Sequence, residues 1–177
     1  EPSRVWVERT VRPVYKVKQD ELALSATLVQ SPSTPVILPG CIAGESLLSQ
    51  IIVDKFLYHL PEYRQAKRFK ELGVEISTSS MNRWVHATAD KLYGLYAAQM
   101  ERVLSAGYIQ VDETTHSITD RPGSARKGYI WVVRSVLVPG VFFYYDKGSR
   151  SGEVVLKMLK GYQGALQTDG YAAYSIF

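Results

Sequence analysis

Two short hydrophobic runs in the second half of the chain each end in an aspartate. The run YIQVD ends at Asp112, and the run ALQTD ends at Asp169. The residues between them predict two further strands and a helix, an order that can return the last strand parallel to the first. If those two strands are neighbours, both carboxylates lie at one sheet edge, where they can hold Mg²⁺ for phosphoryl transfer. The alternative is that each aspartate only forms a turn, for which Asp169-Gly170 is well suited.

Two polar residues follow Asp112 closely. Glu113 points to the opposite face from Asp112 if the strand continues, so we interpret Glu113 as structural. His116 lies on the same side as Asp112 and can contact a phosphate group. A loop histidine without a chemical role fits the sequence as well. The candidate catalytic and metal-ligating residues are therefore Asp112 and Asp169.

Three strands, a helix and a fourth strand would position these two aspartates. Residues 129–138 and 141–145 are rich in β-branched and aromatic side chains, and Pro139-Gly140 predicts a turn between them. Ser149 or Ser151 can cap the helix that follows. The predicted fold class is α+β or α/β, and this part is predicted to be a mixed sheet of three antiparallel strands and a fourth strand, residues 164–168, that is parallel to the first.

The first part of the chain predicts a β-hairpin, a linker and helices. Alternating apolar residues indicate a hairpin within residues 1–29, with Asp20-Glu21 at its turn. An apolar stripe from Ala43 indicates a first helix, and Pro61 can start the second. The core face predicted for that second helix consists of Tyr63, Ala66, Phe69 and Leu72.

The second and third helices match a helix-turn-helix arrangement. Gly73 favours a short turn, and Ser77, Thr78 or Ser79 can cap a third helix that reaches Leu104. A helical hairpin that only packs is the open alternative. The candidate DNA-binding residues are Ser79, Asn82, Arg83 and His86 on the third helix, and Lys67, Arg68 and Lys70 on the second.

An excess of basic over acidic residues is concentrated between Arg121 and Lys160. The formal net charge is +4 and the pI is about 9.1, while residues 121–160 contain eight Lys or Arg residues against two acidic ones. This distribution favours a polyanionic partner and adds Arg126 and Lys127 to the candidate DNA contacts. The alternative is a basic face that only contacts water.

The composition also limits the class of protein. The single cysteine, Cys41, excludes an internal disulfide and a multi-cysteine zinc site within this chain. We find neither a run of about 18 apolar residues nor a signal-peptide pattern, so we expect a cytoplasmic protein without a membrane partner.

Six stretches of the chain match a known family in that family's order, over roughly residues 36–176. On these stretches the chain resembles the transposases of the insertion-sequence sixty-six family, which belong to the DDE class and have a ribonuclease-H-like catalytic core. The matching stretches are Ile42–Leu48, His59–Gln65, Gly73–Ser77, Ser80–Val85, Val111–Thr114 and Gln167–Tyr174.

The resemblance implies a role for each part of the chain. Asp112 and Asp169 would be the first two acidic residues of the catalytic triad, and the helices would bind DNA. The partners would be the ends of the insertion element and a target DNA, near the bacterial nucleoid. The cofactor would be Mg²⁺ or Mn²⁺, with water attacking the element's ends and the freed 3′-hydroxyl then attacking the target.

The chain departs from the family pattern in two places. The third acidic residue, a glutamate on a later helix, is expected beyond Phe177. The family usually carries a cysteine zinc ribbon near its N-terminus, and no cysteine stands at Tyr15–Lys18, where its last cysteines are expected. We therefore expect no zinc in this chain, and an incomplete ribonuclease-H-like sheet that is inactive in strand transfer by itself.

Three hypotheses follow, with predicted domain bounds of 1–40, 41–106 and 107–177. The first is a transposase fragment that binds DNA and holds two of three catalytic carboxylates. The second is a non-catalytic helix-turn-helix module or transposase remnant, whose β-rich half forms a homodimer. The third is a hydrolase that uses the two carboxylates as general acid and base on another substrate.

Overall fold

The computed structural model describes residues 4–16, 28–121 and 123–176, with all their side chains except those of residues 120 and 121. In these residues the fold is mixed α+β, as predicted. The elements are β1 (Val14–Lys16), β2 (Leu28–Gln30), α1 (Glu45–Phe56), α2 (Glu62–Glu71), α3 (Thr78–Leu104), β3 (Tyr108–Arg121), β4 (Ser124–Ser135), β5 (Val141–Tyr144), α4 (Gly152–Met158), β6 (Ala165–Gln167) and a 3₁₀ helix (Ala172–Ile176).

The chain divides into two compact units, and the division falls inside α3. Unit 1 is Glu1–Lys91 and unit 2 is Leu92–Phe177. Each unit has a hydrophobic core of its own. The domain bounds predicted from the sequence stay predictions.

The core of unit 1 lies among α1, α2 and the first turns of α3. A left-handed Gly73 (φ 83°) ends α2, as its position predicted. Ser77 caps α3, because its Oγ accepts a hydrogen bond of 3.1 Å from the backbone N–H of Ser80. The buried apolar residues of this core are Leu38, Ala43, Leu48, Ile51, Phe69, Ile76, Met81, Trp84 and Val85.

The predicted core face of α2 is wrong at two positions. Tyr63 is 60% exposed and Leu72 is 44% exposed, whereas Gln65 is fully buried. The Gln65 amide is held inside because its Nε2 donates to the backbone oxygens of Ile51 (3.2 Å) and Leu60 (2.8 Å). These hydrogen bonds satisfy the carbonyl groups near the end of α1, so a polar side chain takes the inward position.

The N-terminal β-hairpin is small and exposed. β1 pairs with β2 in antiparallel register, with Tyr15 opposite Val29. The turn predicted at Asp20-Glu21, together with Leu22, Leu24 and Ala26, lies outside the described residues.

Unit 2 contains a four-stranded sheet in the order β5-β4-β3-β6. β4 pairs with β3 and with β5 in antiparallel register, and β6 pairs with β3 in parallel register. The predicted order of three antiparallel strands, a helix and a parallel fourth strand is confirmed. The second strand begins earlier than predicted, at Ser124, because it pairs along nearly the whole of β3.

One face of this sheet is covered by α4 and by the second half of α3. Ile109 and Val111 alternate inward on β3 and pack with Trp131 of β4 and Val155 and Leu159 near α4. Tyr96, Met100 and Leu104 of α3 pack against the same core. Residues of β3 at the intervening positions, Gln110 and Asp112 among them, point away from that core.

The outer parts of β3 and β4 form a two-stranded ribbon. β5 pairs only with Trp131–Arg134 of β4, and β6 pairs only with Tyr108–Gln110 of β3. The ribbon continues as far as Arg121 opposite Ser124, with a register shift after Thr119. A loop supports the ribbon at Gly148, which has φ 76° and closely approaches Gly128.

We predict that Gly148→Ala destabilises unit 2 by about 2 kcal/mol or more. A Cβ at Gly148 would lie 3.0 Å from the Gly128 Cα and would also contact the Ile118 side chain, and the left-handed backbone adds strain. Urea unfolding followed by circular dichroism measures the change.

The matched control is Gly94→Ala. A Cβ at this helical glycine of α3 meets no atom within 4 Å. We expect this variant to gain about 1 kcal/mol, because alanine restricts the unfolded chain and favours helix. A Gly148 variant as stable as the wild type would contradict the proposed loop contact.

Candidate metal-binding site

The parallel register of β3 and β6 brings the two candidate aspartates side by side. The last register pair is Gln110 with Gln167. Asp112 lies two residues beyond Gln110, and Asp169 lies two residues beyond Gln167. Equal offsets from the last register pair put both residues at the same level, just past the end of β6, while β3 continues beyond Asp112 to Arg121.

Side-chain contacts identify the face of the sheet on which Asp112 lies. The Gln167 Oε1 accepts hydrogen bonds from the Gln110 Nε2 (2.9 Å) and from the Tyr108 hydroxyl (2.5 Å). Since strand side chains alternate, Asp112 points to the same face as Tyr108 and Gln110. That face is opposite to the one that carries the hydrophobic core of unit 2.

Each aspartate is exposed and uses one carboxylate oxygen to fix its own backbone. The Asp112 Oδ1 accepts from the Glu113 N–H (2.8 Å), and the Asp169 Oδ1 accepts from the Tyr171 N–H (2.9 Å). Among the described residues, no group donates a hydrogen bond to the Oδ2 atom of either aspartate. Two exposed carboxylates with an oxygen each available fit the oxygen ligation that Mg²⁺ or Mn²⁺ requires.

The two carboxylates do not form a complete metal cage. Within residues 4–16, 28–121 and 123–176, no group of three or more His, Cys, Asp or Glu side chains is arranged to hold a metal ion. The described part of the chain thus offers two candidate ligands at this point.

Three acidic side chains influence the pKa of the Tyr174 phenol. Its pKa is raised well above the ordinary value, first because the phenol is buried, then because it donates a hydrogen bond to Glu113 and lies near that charge. The charges of Asp169 and Asp112 raise the pKa further. The phenol therefore stays protonated and keeps its role as a hydrogen-bond donor.

Glu113 lies on the opposite face from Asp112, as the alternation of the strand predicted. Its side chain is only 2% exposed and forms an ion pair with Arg150. Its second oxygen accepts from the Tyr174 hydroxyl at 2.7 Å. Sequence reasoning missed Arg150 and Tyr174, because an arginine near a helix start and a tyrosine after a turn carry no spacing signal.

Comparisons with known proteins identify the family of this chain. A family model described as "Transposase IS66 family" matches residues 40–177, more than half of the chain. The chain belongs to the IS66 transposase family. The resemblance carried by the six sequence stretches is therefore confirmed.

Three curated relatives of Sinorhizobium fredii (strain NBRC 101917 / NGR234) match nearly the whole chain. The uncharacterized protein y4jD is 30% identical over 98% of this chain and 34% of its own length. The uncharacterized proteins y4qI and y4hP are each 31% identical over 98% of this chain, and over 33% and 31% of their own lengths. The chain spans about a third of the length of these relatives.

In this IS66-family chain Arg126 and Lys127, which precede the predicted second strand, lie on the ribbon because β4 begins at Ser124. Arg126 and Lys127 are exposed and line a shallow groove with Thr115, His116 and Ser117. Arg126 also donates two hydrogen bonds of 3.3 Å to the Lys147 backbone oxygen, and the Lys127 Nζ lies 5.6 Å from the centre of the Tyr129 ring. Arg126 thus supports the ribbon as well as adding charge.

The predicted helical contacts in unit 1 divide into exposed and paired residues. Ser79, Asn82, Arg83 and His86 are all exposed at the start of α3, and Lys67 and Lys70 are exposed on α2.

Three of the helical candidates already interact with neighbours inside unit 1, among them Ser79, whose Oγ lies 3.0 Å from the Ser77 Oγ. Arg68 forms an ion pair with the buried Asp54, and its side chain is 41% exposed. The pKa of Glu62 is lowered mainly by its hydrogen bond to Lys55 and to a smaller extent by the neighbouring Asn82. The structure thus gives Arg68 a stabilising role that the sequence did not predict.

Among the described residues, no helix is both long enough and apolar enough to cross a bilayer.

We predict that Gln167→Leu destabilises unit 2 by about 1 kcal/mol, since the Tyr108 hydroxyl and the Gln110 amide lose their shared acceptor. Urea unfolding measures the change. Gln163→Leu is the control, because Gln163 is also exposed and forms no side-chain hydrogen bond among the described residues. Equal effects of the two substitutions would contradict a role for Gln167 in joining β6 to β3.

Proposed function

We propose that this chain supplies the DNA-binding segment and the first two metal-ligating carboxylates of a DDE-class transposase. The observation that carries the proposal is the parallel pairing of β3 with β6, which puts Asp112 and Asp169 at the same level just past the end of β6. Membership of the IS66 transposase family supports the same function. The order of strands and helix is also the one expected of a ribonuclease-H-like core.

Asp112 and Asp169 would hold the divalent metal. Mg²⁺ bound there would polarise a phosphate of DNA and activate the attacking water or 3′-hydroxyl. The two aspartates would fix the metal through their outward oxygens, while their Oδ1 atoms stay bonded to backbone N–H groups. A third carboxylate, which the family resemblance implies, would complete the site from outside the described residues.

The proposed DNA contacts lie on both units. In unit 1, Ser79, Arg83 and His86 at the start of α3, with Lys67 and Lys70 of α2, form an exposed polar and basic surface. In unit 2, Lys127 and Arg126 add positive charge to the ribbon that extends past Asp112. Lysine and arginine side chains on such surfaces bind phosphates and release counterions.

We predict that the chain binds Mn²⁺ and that Asp112→Asn and Asp169→Asn each remove most of this binding. Each substitution deletes one of two anionic ligands, and the remaining carboxylate alone holds a divalent ion weakly. Electron paramagnetic resonance of free Mn²⁺, titrated with the wild-type chain and each variant, measures the affinity. Circular dichroism confirms that the variants stay folded.

Asp90→Asn is the matched control for these variants. Asp90 is an exposed aspartate of α3, so its substitution removes the same charge from a different surface. We expect its Mn²⁺ affinity to equal that of the wild type. Loss of binding in only one of the two site variants would contradict a shared site, and no binding by the wild type would favour a non-catalytic DNA-binding module.

We predict that Arg83→Ala and Lys127→Ala each weaken binding to a DNA duplex. If each side chain contacts one phosphate, each variant lowers the slope of log affinity against log salt concentration by roughly 0.9. Fluorescence anisotropy of a labelled duplex, repeated over a range of salt concentrations, measures both quantities.

Arg102→Ala is the control for charge alone, because Arg102 is an exposed arginine of α3 outside the proposed surfaces. Its salt slope should equal that of the wild type. If all three variants weaken binding equally, the effect is one of net charge and the proposed contacts are wrong. A wild-type chain without affinity for DNA would contradict the proposed partner.

A further inference from the structure

The residue immediately after Asp112 is a buried carboxylate with both oxygens occupied. The Glu113 Oε1 accepts from the Arg150 Nε at 2.7 Å and from the Arg150 Nη2. The Glu113 Oε2 accepts from the Tyr174 hydroxyl at 2.7 Å. Since the side chain is only 2% exposed, loss of a partner would leave a charged group buried without compensation.

Both partners of Glu113 are connected to the segment that contains Asp169: Tyr174 belongs to it, and Arg150 contacts it. Tyr174 belongs to the 3₁₀ helix that follows Asp169, and its ring packs edge-on against Tyr171 (6.3 Å between centroids). The Arg150 guanidinium lies 3.7 Å from the centre of the Tyr171 ring. The Tyr171 backbone N–H in turn donates to the Asp169 Oδ1.

Backbone pairing by itself does not extend to the aspartates. The ladder between β3 and β6 contains three pairs and stops at Gln110 and Gln167. Beyond it, the contacts of Glu113 join the strand of Asp112 to the turn of Asp169. They do so from the face opposite to the carboxylates, so they leave the outward oxygens of both aspartates accessible.

We propose that Glu113 is a positioning residue, which holds the Asp169 segment beside Asp112 through Arg150 and Tyr174. The proposal rests on the proposed function, because it concerns the same pair of carboxylates. Divalent metals such as Mg²⁺ demand narrow ligand distances and angles, so a side chain that fixes the relative position of two ligands changes metal affinity without touching the metal.

The test compares Tyr174→Phe and Glu113→Gln with Tyr96→Phe. Tyr174→Phe keeps the ring that packs against Trp131 and Tyr171 and deletes one hydrogen bond. Tyr96→Phe deletes a tyrosine hydrogen bond of 2.9 Å to the Phe143 backbone oxygen, in the same unit but away from the aspartates. Glu113→Gln keeps the side-chain volume and removes the charge.

Two measurements on the folded chain are needed. Hydrogen exchange of the Tyr171 amide, followed by NMR without metal, reports whether its hydrogen bond to Asp169 is held in place. Mn²⁺ affinity, followed by paramagnetic resonance, reports the geometry of the ligand pair. We expect both site variants to speed exchange at Tyr171 and to weaken Mn²⁺ binding by roughly tenfold, with no such changes in Tyr96→Phe.

The outcomes separate this proposal from the proposed function. If the wild type binds no Mn²⁺, the proposed function fails, while faster exchange at Tyr171 in the two variants still supports the positioning role. If the wild type binds Mn²⁺ and both variants match it in affinity and in Tyr171 exchange, the positioning role is overturned. Equal losses in Tyr96→Phe would overturn it too, because the effect would then be one of general stability.

Discussion

The candidate site depends on the short parallel contact between β3 and β6. Three register pairs align the two strands, and the residues that matter lie just beyond them. So short a ladder is not stable alone. α4 stabilises it, because the buried Val155 and Met158 of this helix pack on the sheet. The helix also returns the chain so that β6 runs parallel to β3. The geometry of Asp112 and Asp169 is therefore a consequence of hydrophobic packing on the other side of the sheet.

Side chains alternate along β3, so its two faces have different surroundings. Ile109 and Val111 are buried in the core, whereas Gln110 and Asp112 lie on the opposite face. There the Gln110 amide donates a hydrogen bond to Gln167 of the neighbouring strand. Glu113 is the exception, since it is charged and points to the buried side. Its burial is tolerated because Arg150 and Tyr174 occupy both carboxylate oxygens. The same contacts make the loop after β6 part of the site's support.

A similar compensation acts on Asp54 and on the amide nitrogen of Gln65 in unit 1, whereas the Gln65 Oε1 and the Thr88 Oγ1 are buried without a partner among the described residues. Asp54 is 3% exposed and is paired with Arg68 and Gln50. Gln65 replaces the aromatic residue expected at the inward position of α2, because its amide reaches backbone oxygens of the preceding segment. A pattern of apolar residues cannot reveal such exchanges, since the partner of a buried polar group lies on another element.

The sequence by itself determined the order and type of the main elements, the turns at Gly73 and Pro139-Gly140, and the strand that ends just before Asp169. The strand end predicted at Asp112 was wrong, because β3 continues to Arg121 and pairs Asp112 with Val132 of β4. The correct predictions follow from local rules, because side-chain period, capping and turn residues act over a few positions. Only the tertiary structure decided the neighbour of β3, the inward face of α2 and the roles of Arg150 and Tyr174. Those depend on contacts between residues far apart in the chain, such as the 61 positions that separate Glu113 from Tyr174. Their energy arises only when burial removes both partners from water.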